Sequence, residues 1–159
     1  MPDAPQVLRI VIAYDHRANG ENAKAMCDQI ARGAHARCEL RYHVWRFDAL
    51  ESAHLREAAA MDATEADMIV MAAQGAPSLP AGVEQWVASW LNSTRQPDQA
   101  LVALVESGEQ SHQWVARLRD VAERGQMTFF SKMSVPTALQ SEPSRTRPAG
   151  AYSHWGINE

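Results

Sequence analysis

Four segments of the chain are rich in apolar residues and have the length of β-strands. Val7–Tyr14, Met68–Ala73 and Ala100–Val105 are almost continuously apolar. Runs without a polar side are typical of strands that are covered on both faces, as in a parallel sheet. Met127–Met133 is more mixed in composition. These patterns predict four strands, the first three of them central.

A fifth segment, Cys38–Phe47, alternates between apolar and polar residues. Alternation with a period of two is typical of a strand with unlike faces, which favours a position at the edge of the sheet. The part from Leu40 to Phe47 carries more aromatic residues than an exposed edge usually keeps. We therefore expect the C-terminal tail or a second copy of the chain to cover it, and predict a homodimer through this edge. The residues concerned are Tyr42, His43, Trp45 and Phe47.

Between the strands the apolar residues recur with a helical period. A weaker helix is expected at about Ser52–Thr64. Asp48 with Glu51, and Ser107 with Gln110, have the spacing of capping boxes at helix starts. Three stripes follow the spacing of one helix face: Ala23, Met26, Cys27, Ile30 and Ala31; Val83, Trp86, Val87, Trp90 and Leu91; Trp114, Val115, Leu118, Val121 and Ala122.

The elements therefore alternate as β-α-β-α-β-α-β-α-β. Right-handed crossovers place helices on both faces of a parallel sheet, which predicts an α/β three-layer sandwich with five parallel strands. The expected strand order is 2-1-3-4-5, the flavodoxin-like arrangement. We assign residues 1–133 to this domain and residues 134–159 to a C-terminal tail. Because the tail contains Trp155, we expect it to dock on the domain or on a second subunit.

Composition narrows the classes of function. The 159 residues are 46% hydrophobic and 21% charged, with a formal net charge of −4. That is ordinary for a globular protein and offers no basic surface for nucleic acid or an anionic membrane. No apolar run approaches the ~20 residues that span a bilayer. Cys27 and Cys38 match no metal or redox motif, so we expect reduced thiols in a cytoplasmic protein.

In this architecture, ligands bind beyond the carboxyl ends of the strands, near the switch point between the first and third strands. The loops expected there are Asp15–Asn22, Gln74–Pro80 and Glu106–Ser111, and Lys132 lies near the end of the last strand. The six histidines show no metal-ligand spacing, so no metal site is expected. The candidate residues of the crevice are Asp15, His16, Arg17, Asn19, Gly20, Asn22, Gln74, Gly75, Ser78, Ser107 and Lys132.

The stretch "ADMIVMAAQGAPSLP", residues 66–80, resembles the flavodoxin-like FMN reductases. In that family an Ala-Asp pair often precedes an apolar strand, a proline, a tyrosine and a Ser-Leu-Pro-like turn. The resemblance implies FMN as a cofactor and an NAD(P)H-dependent reductase activity. However, Ala73 stands where the family has the proline, and Gly75 stands where it has the tyrosine that packs on the isoalloxazine ring.

The loop after the first strand also departs from flavodoxins. Those proteins hold the FMN phosphate with side-chain hydroxyls and with backbone N–H groups at a helix N-terminus. Here the stretch is "YDHRANGENAKA", which contains no hydroxyl except that of Tyr14 at its start. Gly20 offers backbone freedom, and Asn19 and Asn22 offer donors, but Glu21 brings a negative charge to the phosphate position. A competent FMN phosphate site is therefore not expected.

The chain also resembles receiver domains of two-component signalling, which share the topology. Their chemistry requires acidic residues after the first strand to bind Mg²⁺, an aspartate at the end of the third to accept the phosphoryl group, a Ser or Thr after the fourth, and a lysine on the fifth. Asp15, Ser107 and Lys132 stand at roughly those places. The third strand ends in Ala73 and Gln74, so the acceptor aspartate is missing.

Three functions follow from these resemblances. The first is a flavodoxin-like binding or regulatory domain without a competent canonical FMN site. The second is an FMN-dependent reductase with a divergent phosphate loop. The third is a pseudo-receiver that acts through a protein partner. The sequence does not name a substrate or a partner.

Overall fold

The structure is a computed structural model that describes residues 6–33, 38–74, 79–95, 97–106, 108 and 111–134. Five strands and four α-helices alternate along the chain, with a short 3-10 helix at Phe47–Glu51 before the second α-helix. The elements are β1 (Gln6–Tyr14), α1 (Arg17–Gly33), β2 (Cys38–Arg46), α2 (Ala53–Glu65), β3 (Met68–Ala73), α3 (Ala81–Leu91), β4 (Ala100–Glu106), α4 (Ser111–Arg124) and β5 (Thr128–Ser134).

All neighbouring strands pair in parallel, in the order β2-β1-β3-β4-β5. The predicted fold class and strand order are therefore confirmed. Each predicted strand lies within one residue of the observed one at both ends. The prediction succeeded because two-sided burial leaves an unbroken apolar run in the sequence, and Met68–Ala73 shows this most clearly.

The two faces of the sheet carry different amounts of helix. The core between the sheet and α2, α3 and α4 contains three fully buried tryptophans, Trp86, Trp90 and Trp114. Trp86 and Trp90 meet edge to face, with ring centroids 5.7 Å apart. The core on the other face is smaller, and α1 contributes Ala23 and Cys27 to it. The tryptophans that the helical stripes contain thus belong to the main core.

The helix predicted at about Ser52–Thr64 is confirmed as α2, but the capping box predicted from the spacing of Asp48 and Glu51 is not its start. Helix α2 begins after Ser52, whose hydroxyl oxygen accepts from the Leu55 backbone N–H at 3.4 Å. The Glu51 carboxylate instead accepts from the Gly82 backbone N–H at 3.0 Å. Glu51 therefore caps a different helix, α3, across a tertiary contact. The second predicted box, Ser107 with Gln110, lies outside the described residues.

The edge strand β2 has the predicted alternation, and helices of the same chain cover its aromatic side chains. The Tyr42 hydroxyl donates to Asp28 Oδ1 in α1 at 2.6 Å, and the Trp45 indole N–H donates to Asp62 Oδ2 in α2 at 3.0 Å. Burial of the hydroxyl, and then its bond to Asp28, raise the pKa of Tyr42. Phe47 is buried. The aromatic content of this edge is thus accounted for within one chain, while the homodimer remains a prediction.

Among the described residues, no helix has both the length and the apolar character needed to cross a bilayer. The tail from residue 135 onward, with Trp155, lies outside the described residues, so its docking also stays a prediction.

Candidate functional site

The carboxyl end of β1 is tied to the end of β3 by one side chain, Asp15. Its Oδ1 accepts from the His16 backbone N–H at 2.6 Å and from the Asn19 side-chain amide at 2.7 Å. Its Oδ2 accepts from the Gln74 backbone N–H at 2.9 Å. Its own N–H donates to the Ala72 carbonyl at 3.3 Å. Four of the predicted crevice residues, Asp15, His16, Asn19 and Gln74, therefore form one network.

The expected loop Asp15–Asn22 is mostly helix. Because α1 begins at Arg17, only Asp15 and His16 connect it to β1. The interpretation of Gly20 as a flexible turn residue is wrong for this reason. A Cβ on Gly20 would lie 3.0 Å from Cγ of the Tyr14 ring, so the glycine lets α1 pack closely on that ring. Arg17 pairs with Glu21 one turn later at 3.2 Å, on the exposed side of the helix.

The start of α1 has the wrong charge for an anion. A helix N-terminus attracts anions through its free N–H groups and its dipole. Here the Asp15 carboxylate already stands at that end and takes the N–H groups of His16 and Gln74. A phosphate approaching from the same direction meets this negative charge.

A cavity of about 200 Å³ opens beside this network, between α1 and the carboxyl ends of the sheet. Its charged groups are Glu106 and Lys132, on neighbouring strands β4 and β5. Amide side chains from α1 form one wall, and apolar side chains form the floor. The lining residues are Asn19, Asn22, Met26, Ala72, Leu104, Val105, Glu106 and Lys132.

The predicted site residues thus fall into separate groups. Asn19, Asn22 and Lys132 line the cavity, and Asn19 also belongs to the Asp15 network. His16 and Arg17 are exposed beside it. Gly75, Ser78 and Ser107 lie outside the described residues, so their predicted place in the crevice stays a prediction.

Sequence reasoning missed five of the lining residues as site residues. A usable signal existed, since residues of one parity along a strand share a face. Ala72, Leu104 and Lys132 lie side by side in register on the α1 side of β3, β4 and β5, and Glu106 follows Leu104 on that side. Met26 lies one helical turn after Asn22. Counting parity from each strand end would have found Ala72, Leu104 and Glu106, but not Val105, which has the opposite parity.

The receiver-like arrangement is not assembled around Asp15. Its carboxylate oxygens accept from three N–H donors, which occupies positions that Mg²⁺ ligands need. Gln74 follows β3 where an acceptor aspartate would stand, and it offers its backbone N–H rather than a carboxylate. Lys132 lies at the cavity, among lining residues that do not include Asp15 in the described part of the chain.

Within the described ranges, no group of three or more His, Cys, Asp or Glu side chains has the geometry of a metal site. A scan of the chain against protein-family models finds no match, and a search among curated proteins finds no relative. The structure therefore shows a flavodoxin-like α/β topology, and any function is argued from the site itself.

Proposed function

We propose that this chain is a flavodoxin-like binding or regulatory domain that does not hold a flavin phosphate at the start of α1. The observation that carries the proposal is the Asp15 carboxylate. It fills the helix N-terminus with a negative charge and takes N–H groups of both the β1–α1 connection and the end of β3. A dianion there would face Coulomb repulsion at close range in a partly buried position.

The cavity supports a small ligand or a single side chain of a partner. Its volume of about 200 Å³ is below the roughly 300–1,000 Å³ of pockets that enclose drug-sized ligands. Lys132, Glu106 and the amides of Asn19 and Asn22 surround an apolar floor. Such a lining suits a ligand with an apolar body and polar ends.

The proposal is tested with two probes that differ only by the phosphate, FMN and riboflavin. Quenching of flavin fluorescence is followed as protein is added, at flavin concentrations up to tens of micromolar. We expect FMN to bind no more tightly than riboflavin, because the carboxylate at the start of α1 repels the phosphate instead of binding it. An Asn22→Ala variant is the control that separates the cavity from the Asp15 network. The substitution alters the lining of the cavity and leaves the hydrogen bonds of Asp15 in place.

Four results contradict the proposal. Purified protein that is yellow, or FMN affinity at least tenfold above that of riboflavin, would show a working phosphate site. Saturable binding of either flavin together with NAD(P)H oxidation would make the FMN-reductase alternative correct. Treatment with acetyl phosphate and Mg²⁺ is expected to leave the protein mass unchanged, and a singly phosphorylated species would favour the receiver-like function instead.

A further inference from the structure

The two faces of the sheet are covered unequally. Helices α2, α3 and α4 pack on one face. Helix α1 packs on the other face, where its main contacts are with β1, β2 and β3. In the described part of the chain, α1 has no comparable contact with β5, although its side chains form one buried cluster with Val102 of β4. Parallel sheets normally have both faces covered.

The incompletely covered area is centred on Phe130, with the partly buried Leu104 and the buried Val102 beside it on β4, and we call these three residues the β4–β5 face. Val102 pairs in register with Phe130, so the two side chains lie next to each other on the same side. Phe130 is 55% exposed. The preceding Phe129 packs against the main core on the opposite side, with the Arg119 guanidinium 5.4 Å from its ring centroid. The exposure of Phe130 therefore reflects the missing layer on the α1 side.

Residues 135–159 follow directly at the carboxyl end of β5. The strand has seven residues and spans about 23 Å at ~3.3 Å per residue. To run back along it, a chain needs about 7 extended residues or about 15 helical residues at 1.5 Å each. The segment is longer than either requirement, and it contains Leu139, Tyr152, Trp155 and Ile157.

A second copy of the chain is a poorer occupant. Two strands about 4.8 Å apart and 23 Å long present roughly 200 Å² of face. A stable interface between proteins buries about 800 Å² on each partner. The β4–β5 face alone is therefore too small to hold a dimer, whereas an attached segment needs no such area because it is held near the face by the chain.

We propose that residues 135–159 fold back over the α1 side of β4 and β5 and cover Phe130. The segment then supplies the second layer that α1 leaves incomplete, and it lies against Leu104 at the margin of the cavity. This inference is independent of the proposed function, because it depends on the β4–β5 face and not on what the cavity binds.

The test uses the full chain and its own trypsin site at the Arg145–Thr146 bond. Phe130→Asp places a charge in the face, and Met61→Asp is the matched control, because Met61 is 66% exposed on α2 on the opposite side of the sheet. We expect Phe130→Asp to speed cleavage after Arg145 at least tenfold, as followed by mass spectrometry, while Met61→Asp cleaves at the wild-type rate. Light-scattering mass is measured for all three proteins.

Equal cleavage rates in wild type and Phe130→Asp would overturn the proposal. A mass that falls from two chains to one only in Phe130→Asp would overturn it as well, in favour of a second copy on the face. Hydrogen exchange in the wild type covers the case in which Phe130→Asp fails to fold. Protected amides within residues 135–159 support the proposal, and complete exchange of that segment at the earliest time point contradicts it.

Discussion

A single carboxylate, Asp15, fixes the junction between β1, α1 and β3 through three accepted hydrogen bonds. Hydrogen bonds to a charged group contribute about 1.5–3 kcal/mol each. Removing one partner and leaving the other buried without a bond costs more free energy than removing both partners. Asp15→Asn replaces one acceptor oxygen with an NH₂ group, which then faces an N–H donor. We expect the free energy of unfolding, measured in urea, to fall by about 1–3 kcal/mol.

Asp48→Asn is the control for this substitution. Asp48 is exposed, and its ion pair with Arg46 is 3.6 Å long, so a change below about 0.5 kcal/mol is expected. Equal effects of the two substitutions would show that the Asp15 network does not stabilise the fold.

Another residue-scale expectation concerns Cys27, which is buried in the smaller core. Burial, and then the nearby Asp28 charge, raise the pKa of its thiol from 9.0 to about 11. Because the pKa of Cys27 is higher in the folded than in the unfolded protein, the buried thiol contributes its full stabilisation below the unfolded-state pKa of 9.0. This contribution is lost as the pH rises through about 11. At pH 8 the thiolate fraction is about a hundredfold lower than in the unfolded chain.

In a Cys38→Ser background, Cys27 is the single thiol. We expect a disulfide reagent such as DTNB to label it at least tenfold more slowly in the native protein than in urea at pH 8, with the native rate rising as the pH approaches 11. Labelling at the same rate in both states would contradict the burial of this thiol.

At the scale of the elements, the strands and the position of α2 were predictable, and the groups that hold the starts of α1 and α3 were not. The burial of a strand can be predicted from its own residues, because a buried strand is a run of apolar residues, as in Ala100–Glu106. The starts of α1 and α3 depend on groups far along the chain, since Asp15 binds Gln74 and Glu51 binds Gly82. Local spacing cannot show such contacts, although the apolar pattern placed the start of α2 at about Ser52, as observed. The same reason hid the role of Gly20, which packs on an aromatic ring.

Gly82 gives an element-scale prediction. A Cβ at this position would lie 2.6 Å from the Leu50 carbonyl oxygen and 2.8 Å from a Glu51 carboxylate oxygen. Alanine favours helix over glycine by about 1 kcal/mol, but the clash with backbone forces α3 away from the 3-10 helix. We expect Gly82→Ala to lower the free energy of unfolding by about 1–3 kcal/mol, as measured by urea denaturation.

The matched control is Gly108→Ala, where the nearest atom to an added Cβ, the Glu106 carbonyl oxygen, is 4.0 Å away. Its effect should stay within about 0.5 kcal/mol. If Gly82→Ala is as stable as wild type, the close approach of α3 to Leu50 is not a constraint on the fold.

At the scale of the whole molecule, the unequal layers leave two open margins, the β4–β5 face and the outer edge of β2. In the described part of the chain, β2 pairs with β1 alone. The side chains that first suggested a covered edge, Tyr42 and Trp45, are packed on α1 and α2. What remains for a second copy is the free backbone of β2 and Val44, which is 46% exposed.

The homodimer through Leu40–Phe47 therefore becomes a prediction about backbone pairing. Two β2 strands related by a two-fold axis pair antiparallel and extend the sheet across both copies. A charge on an edge strand opposes such pairing, so Val44→Asp should lower the light-scattering mass from two chains to one at tens of micromolar. Met61→Asp, on α2, should keep the wild-type mass. A wild-type mass of one chain at every concentration would refute the dimer. The charges of Glu39 and Arg41, both exposed on β2, would then explain why this edge stays unpaired.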